Sequence, residues 1–411
     1  MQVGKYTTLA LRNISYTKNL NISTIIKTNK PNMRPFLIDT DPGYDDLCAC
    51  LTALKSDKIS VKAISLVAGN TTVDKMQASL IRILQLAKIL PIFDDFVKQK
   101  KLEKIAPILE NYKNDGEIKC YKGASEPIMG SYRKIHRAEW WHGTDGLGDI
   151  PHLSPITIPD LELCGKIFQD ITSAQGIIEL SKKYPQELEI VTLGPMTNLA
   201  LAYKLDPSLP TRVKKIHVMG GNHLGIGNDS SMAEYNFIAD PEAAYICLEA
   251  FNCLGKDFSI FSWEACMINR YHQDIMKFED LQKTLNPEFK QFYETLLKNK
   301  ITSDAHFLTH SVNPDYDGSF YGVVCDAQAV TAAIDPEIIE KSENYSASVE
   351  LAGVRSRGAL IIDRNMGREP EPFDNFKGQD WDRESFGRKR ISIIHKIDVA
   401  KSYELFKKSF T

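Results

Sequence analysis

Between residues 35 and 260, short apolar runs of strand length alternate with longer segments whose apolar residues recur every three or four positions. That alternation predicts an α/β fold: an open, mostly parallel, Rossmann-like sheet flanked by helices. Residues 35–38 (PFLI) read as a short buried strand, followed by an acidic turn and a first helix over 47–54. Residues 61–68 form the second strand, which ends at Gly69-Asn70. From Thr72 onward, Met76, Leu80, Ile83, Leu84 and Ala87 fall on one helical face. Strands are expected again at 188–193, 215–219 and 257–261. The first of these runs into the turn Gly194-Pro195-Met196-Thr197-Asn198 and an Ala/Leu-rich helix, and the second ends at Gly220-Gly221. Asp240-Pro241 opens a further helix, with proline at the favoured first position. Strand-like runs return at 347–351, 359–363 and 391–397, predicting a small antiparallel C-terminal extension and not a second domain. Two stretches break the pattern and read as insertions: 91–119, lysine-rich and weakly periodic, and 364–388, rich in Arg, Asp, Pro and Gly. No internal repeat is present.

Composition narrows the picture. With 43% hydrophobic and 25% charged residues over 411 positions, the chain is an ordinary globular protein with enough apolar content for a sizeable core. A formal net charge of −3 gives no electrostatic basis for binding nucleic acid, so the substrate is expected to be small. The eight cysteines include no CxxC pair, and Cys48 and Cys50, two apart in a helical segment, cannot face each other. They read as reduced, intracellular, mostly buried residues. No apolar run approaches the ~18 residues that a membrane span requires. Residues 1–34 carry Lys5, Arg12, Lys18, Lys27, Lys30 and Arg34 and no acidic residue, a composition shared by organellar targeting peptides and disordered basic tails. The expected location is the cytoplasm, with organellar targeting by 1–34 as the alternative, and 35–411 is expected to form one domain.

The strongest chemical signal is Asp39-Thr40-Asp41-Pro42-Gly43-Tyr44-Asp45-Asp46, with four carboxylates in eight residues. It sits where the first strand meets the first helix, the edge at which open α/β sheets bind ligands. So many like charges at one turn raise one another's pKa unless a cation neutralises them. All-oxygen donors with no nearby Cys or His favour Ca2+ or Mg2+ over zinc. A cation held there can activate a water whose proton passes to a neighbouring carboxylate. The plainer reading is an acidic loop with a helix cap. The spacing disfavours an EF-hand, whereas a HAD-type phosphotransferase also begins with Asp-x-Asp after its first strand.

The same segment closely resembles the opening Asp-x-Asp-x-Gly-x-Asp-Asp signature of the inosine-uridine nucleoside hydrolases. Further patches follow in that family's order. They are 67–70 (VAGN), 142–148 (HGTDGLG), 192–200 (TLGPMTNLA), 219–221 (MGG), 233–236 (AEYN), 240–244 (DPEAA), 325–327 (CDA) and Arg357-Gly358. The resemblance covers roughly 35–400 and implies an N-glycosidase that splits ribonucleosides into base and ribose. It implies Ca2+ ligation by the carboxylates of Asp41, Asp46 and Asp326 and by the Leu193 carbonyl. Asp45 would serve both the metal region and a ribose hydroxyl, and Asp41 would act as general base toward the attacking water. Asn70, Asn228, Glu234 and Asn236 would hold the ribose hydroxyls. Taken singly, the asparagines are equally at home in turns and Glu234 on a surface. Together they supply the donors and acceptors a sugar needs, while the carboxylates stabilise an oxocarbenium-like transition state.

The chain departs from the pattern at Cys325. In one branch of the family a histidine precedes the last metal aspartate and protonates the leaving base; a thiol with pKa near 8.5 is a poorer donor at that place. His142 is the remaining candidate acid, the plainer reading being a loop histidine with no role. Beside it, Trp140 and Trp141 offer indole faces that could stack on a purine, with Trp263 a weaker candidate; paired tryptophans are otherwise packing residues. The expectation is a calcium-dependent, purine-leaning ribonucleoside hydrolase of nucleoside salvage, assembled as a homodimer or homotetramer. The alternatives are a non-catalytic nucleoside or ribose binder on the same fold, or a HAD-type phosphatase.

Overall fold

The computed structural model describes residues 33–90, 101–130, 138, 142–144, 146–147, 164–253, 257–271, 283, 324–364 and 391–408. Trp140, Trp141, the N-terminal tail up to residue 32 and nearly all of the 364–388 stretch lie outside these residues.

A single ten-stranded sheet organises the described residues, in the order β4-β3-β2-β1-β5-β6-β7-β10-β8-β9. Its first seven strands are β1 (Arg34–Thr40), β2 (Ile59–Leu66), β3 (Lys119–Lys122), β4 (Phe168–Thr172), β5 (Glu189–Thr192), β6 (Lys215–Met219) and β7 (Asp257–Phe261), all parallel. The C-terminal strands are β8 (Ile339–Val349), β9 (Leu360–Asp363) and β10 (Ile391–Ile397). β8 is antiparallel to both β9 and β10, as expected, but β10 itself pairs in parallel with β7. The extension is therefore a continuation of the main sheet.

Helices cover both faces, and the strand pleat sorts the core between them. In β1, Phe36 and Ile38 join the cluster beneath α1 (Tyr44–Leu54) and α2 (Val73–Leu86). Leu37 points the other way, into the cluster that also holds Ile190, Ile216 and Phe258. The lysine-rich stretch 91–119 is not irregular throughout, because α3 (Leu102–Asp115) buries Ile105, Leu109 and Tyr112 on one face. Further helices are α4 (Ser173–Lys183), α5 (Thr197–Leu205), α6 (Tyr235–Ala239), α7 (Pro241–Cys253), α8 (Trp263–Ile268) and α9 (Cys325–Ile334); two more span Leu209–Arg212 and Val399–Lys407. No described helix is long and apolar enough to cross a membrane. The described cysteines whose side chains are placed are buried and form no disulfide.

The strand order positions the site. From β1 the chain builds outward through β2, β3 and β4, then crosses to the other side of β1 and builds through β5, β6 and β7. Connections diverge at the carboxyl ends of β1 and β5, the switch point at which open α/β sheets leave a crevice. β1 ends at the acidic turn, and β5 ends at Leu193-Gly194.

Candidate active site

The end of β1 and the turn after it send their acidic residues to different duties. Asp39 is fully buried and faces α5, where its Oδ1 accepts from Ser65 Oγ and from Asn198 Nδ2 at 2.8 Å. Burial raises its carboxyl to about 7. Asn198 also donates to Leu66 O at 2.9 Å and accepts from Ala124 N at 2.8 Å, so one side chain ties together β1, β2 and the turn after β3. Thr40 points to the opposite face and donates through Oγ1 to Asp46 Oδ1.

Asp41, the expected base, is 1% exposed and held on several sides. Its Oδ2 accepts from the Asn70 backbone N–H at 2.8 Å, and Asn70 Nδ2 donates to the Asp41 carbonyl at 3.0 Å. Two glycines press against the carboxylate. A Cβ on Gly69 would lie 2.0 Å from Oδ2, and one on Gly194 would lie 2.6 Å from Oδ1. The glycines at the ends of β2 and β5 are thus required by the approach of this side chain, a reason the sequence patches alone do not disclose.

At the start of α1, Asp46 Oδ2 accepts from Gly43 N at 2.9 Å and from Asn70 Nδ2 at 3.2 Å. The carboxylate oxygens of Asp45, Asp46 and Asp326 come within 4.8 Å of one another, although Asp326 is supplied by α9, far along the chain. Burial pushes Asp326 and Asp41 well above the usual carboxylate range and raises Asp46, and the neighbouring aspartates add to each shift. Among the described residues, no lysine or arginine pairs with any of these carboxylates. The donor set is all hard oxygen, crowded and uncompensated, and so fits a divalent cation of the Ca2+ or Mg2+ type.

The opposite wall comes from the end of β6 and from α6. Glu234 is 2% exposed and caps α6, accepting from Asn236 N at 3.0 Å, Phe237 N at 3.2 Å and Gly221 N at 2.8 Å. Burial raises it to about 7. Asn236 Nδ2 donates to Leu193 O at 2.7 Å and Met219 O at 3.2 Å, so the expected carbonyl ligand lies directly against an expected ribose-binding residue. Asn228 Oδ1 accepts from Tyr235 N at 2.8 Å. The Tyr235 hydroxyl reaches across to Gly69 O at 2.6 Å, joining this wall to the β2 turn.

His142 packs on the acidic turn. A Cβ at Gly43 would lie 2.7 Å from its Nδ1, which accepts from Tyr44 N at 3.3 Å. An accepting Nδ1 leaves the proton of the neutral ring on Nε2. Gly146, with φ +81 and a virtual Cβ 2.3 Å from Pro42 O, keeps the His142 loop tight against the same turn. Cys325 is 3% exposed and hydrogen-bonded to the Cys266 thiol. Trp263 is half-buried at the start of α8, and its backbone N–H donates to Gly221 O at 2.9 Å.

The structure therefore brings Asp41, Asp45, Asp46, Asn70, His142, Leu193, Glu234, Asn236 and Asp326 to the carboxyl edge of the sheet, with Asn228 on the adjoining loop. Tyr235, Asn198, Gly69 and Gly194 are contributors that sequence reasoning quoted within patches without giving them a role.

Known proteins place this arrangement. The family model described as inosine-uridine preferring nucleoside hydrolase matches residues 36–102 and 96–404. A relative named probable uridine nucleosidase 1, from Oryza sativa subsp. japonica, is 27% identical over 366 residues, 88% of this chain and 92% of its own length. Among solved structures, the plant nucleoside hydrolase PpNRh1 superposes with a TM-score of 0.69 at 22% identity, covering 92% of this chain and 99% of that one. A purine-preferring ribonucleoside hydrolase from Gardnerella vaginalis gives 0.67 at 22%, covering 92% and 98%; at such identities these two likenesses speak for the fold. The phosphatase alternative falls with the family match, and the chain belongs to the inosine-uridine preferring nucleoside hydrolases, enzymes that cleave N-glycosidic bonds.

Proposed function

We propose that this enzyme hydrolyses ribonucleosides to free base and ribose with the help of Ca2+. The observation that carries the reading is the cluster of Asp45, Asp46 and Asp326 oxygens within 4.8 Å, uncompensated by any described basic side chain. Asp41, Asp46, Asp326 and the Leu193 carbonyl are the ligands proposed from the resemblance, with Asp45 serving the metal region; the cluster holds Asp45, Asp46 and Asp326 and leaves out Asp41. A cation there supplies a lowered water pKa and a Lewis-acid contact for substrate oxygens.

The chain's own residues do the rest. Asp41, immobilised by Asn70 and the two glycines, accepts a proton from the attacking water, whose oxygen bonds to the anomeric carbon. The C–N bond breaks with its electron pair moving to the base; His142 serves as the acid in its imidazolium form, with Nδ1 then released from the Tyr44 N–H, and passes one ring proton to the leaving nitrogen to become the neutral ring. Asp45, Asn70, Asn228, Glu234 and Asn236 surround the ribose, and the buried carboxylates stabilise positive charge developing on the sugar. Most of these side chains already hold one backbone partner, which fixes their directions before substrate arrives.

A purine preference is part of the proposal. The names of sequence relatives, uridine nucleosidase and pyrimidine-specific ribonucleoside hydrolase, point to the other class of base, and the purine-preferring enzyme is alike at 22% identity, a likeness of fold. Support comes from Trp140 and Trp141, adjacent in sequence to His142 and suited to stacking. A role in nucleoside salvage as a homodimer or homotetramer completes the reading, with the oligomeric state testable by light scattering.

The decisive experiment incubates the full chain with inosine, uridine and a phosphate ester, with and without a chelator. Base release from inosine ahead of uridine, abolished by chelation and restored by Ca2+, is expected, with no phosphate released. Release that survives exhaustive chelation removes the metal from the reading. No base from any ribonucleoside removes the reading altogether. Uridine turning over faster than inosine reverses the base preference.

A further inference from the structure

Glu264 belongs to none of the groups above. It lies in the first turn of α8 with 4% of its side chain exposed, and its carboxylate is spent on one loop. Oε2 accepts from His223 N at 2.8 Å, and Oε1 from Leu224 N at 2.8 Å and Ile226 N at 3.3 Å. The His223 ring adds a fourth contact, with Nδ1 3.2 Å from Oε2 and 2.6 Å from Ser262 Oγ. On the far side of that ring, Nε2 lies 3.1 Å from His395 Nδ1 on β10.

The loop so held leaves β6 at Gly220 and carries Asn228 before rejoining the structure at Ala233. Apolar burial does little to hold it: Leu224 is 52% exposed and Ile226 55%. Gly225, at φ +76, and Gly227 loosen the segment further, because glycine has more backbone freedom to lose on ordering. Asn222 fastens the base of the loop, donating to Met232 O and accepting from Leu360 N at 3.3 Å. Over 223–226, charge-assisted bonds to one buried carboxylate set the backbone path.

We infer that Glu264 is a positioning residue for ribose recognition, acting through the 223–226 backbone to place Asn228 on the wall of the site. The inference rests on the ribonucleosidase reading, which gives Asn228 its substrate contact.

The test is a double-mutant cycle of Glu264→Ala and Asn228→Ala, read as kcat/KM for base release. If Glu264 works through Asn228, each single change and the double change cost about the same, roughly tenfold. Losses that multiply, or no loss in Glu264→Ala, overturn the inference. Glu264→Gln keeps an oxygen for Leu224 and Ile226 and should recover to within about threefold of wild type, whereas a general packing defect gives no such rescue. Should Glu264→Ala fail to fold, the cycle is run with Glu264→Asp, whose shorter side chain falls short of Leu224 and Ile226, and the same criterion of non-additivity applies. Should the wild type release no base at all, the ribonucleosidase reading fails on its own, and hydrogen exchange decides the positioning. Faster exchange across 223–228 in Glu264→Ala, or in Glu264→Asp where the alanine variant does not fold, supports it, and unchanged exchange overturns it.

Discussion

The packing of Asp41 between two glycines makes Gly69→Ala a sharp test of whether that carboxylate is the base. The added methyl would stand 2.0 Å from Oδ2, 2.7 Å from Cγ and 2.9 Å from Cβ of Asp41, whereas real Cβ contacts stay beyond 3.0 Å. Something must therefore move by about 1 Å, and the carboxylate cannot simply retreat, because its other oxygen already lies against Gly194. Gly69 is not among the glycines with positive φ, so alanine suits the backbone itself and the conflict is confined to the carboxylate. A displacement of about 1 Å in a catalytic group costs on the order of 100-fold in rate, or about 2.7 kcal/mol of transition-state stabilisation. Overpacking should take about 1–3 kcal/mol from stability, detectable but compatible with folding. The assay is kcat/KM for base release at saturating Ca2+, with circular dichroism confirming the fold. Gly165→Ala is the control, since its Cβ would meet nothing nearer than 3.7 Å. A folded Gly69→Ala enzyme with kcat/KM within about threefold of wild type would refute the assignment of Asp41.

Three further outcomes follow from the same geometry. Asp326→Asn removes one of several crowded buried charges, so without added metal its Tm should rise above wild type, while the Tm increase on adding Ca2+ should disappear; a preserved Ca2+ response would exclude Asp326 from the ligands. Cys325→Ser replaces a buried thiol that bonds to Cys266 and should keep kcat/KM within about threefold; a loss matching Asp41→Ala would make the thiol catalytic. At the opposite edge of the sheet, burial alone would raise Glu189, but the His217 hydrogen bond and the Arg34 and Lys214 charges outweigh it and hold the carboxyl at about 2. A depressed folded-state pKa stabilises above the unfolded value near 4.3, and that contribution fades as pH falls toward 2. Glu189→Gln should therefore be destabilised at pH 7, with the gap to wild type narrowing at pH 3.5 in denaturant titrations; a constant gap contradicts the linkage.

What was legible in the chain and what was not divides along a physical line. Central strands β1 and β6 are buried on both faces and read as nearly unbroken apolar runs, so their positions were evident. The edgeward β3 and β4 (KCYK and FQDIT) carry no such run, and in α3 the lysines hide the spacing of Ile105, Leu109 and Tyr112. The acidic turn announced itself because its four carboxylates are local. By contrast, Asp39 and Asp41 look equivalent in sequence, and only the structure shows that one, inside β1, bonds to Asn198 of α5 while the other, past the end of the strand, bonds to Asn70. Contacts such as Tyr235 to Gly69 or Glu264 to Leu224 span too much chain to leave a local pattern. Residues meant for substrate must lie just beyond strand ends at the switch point, where short motifs record them. The residues that hold those groups still can come from any element that packs nearby, and for these a fold is needed before a role can be assigned.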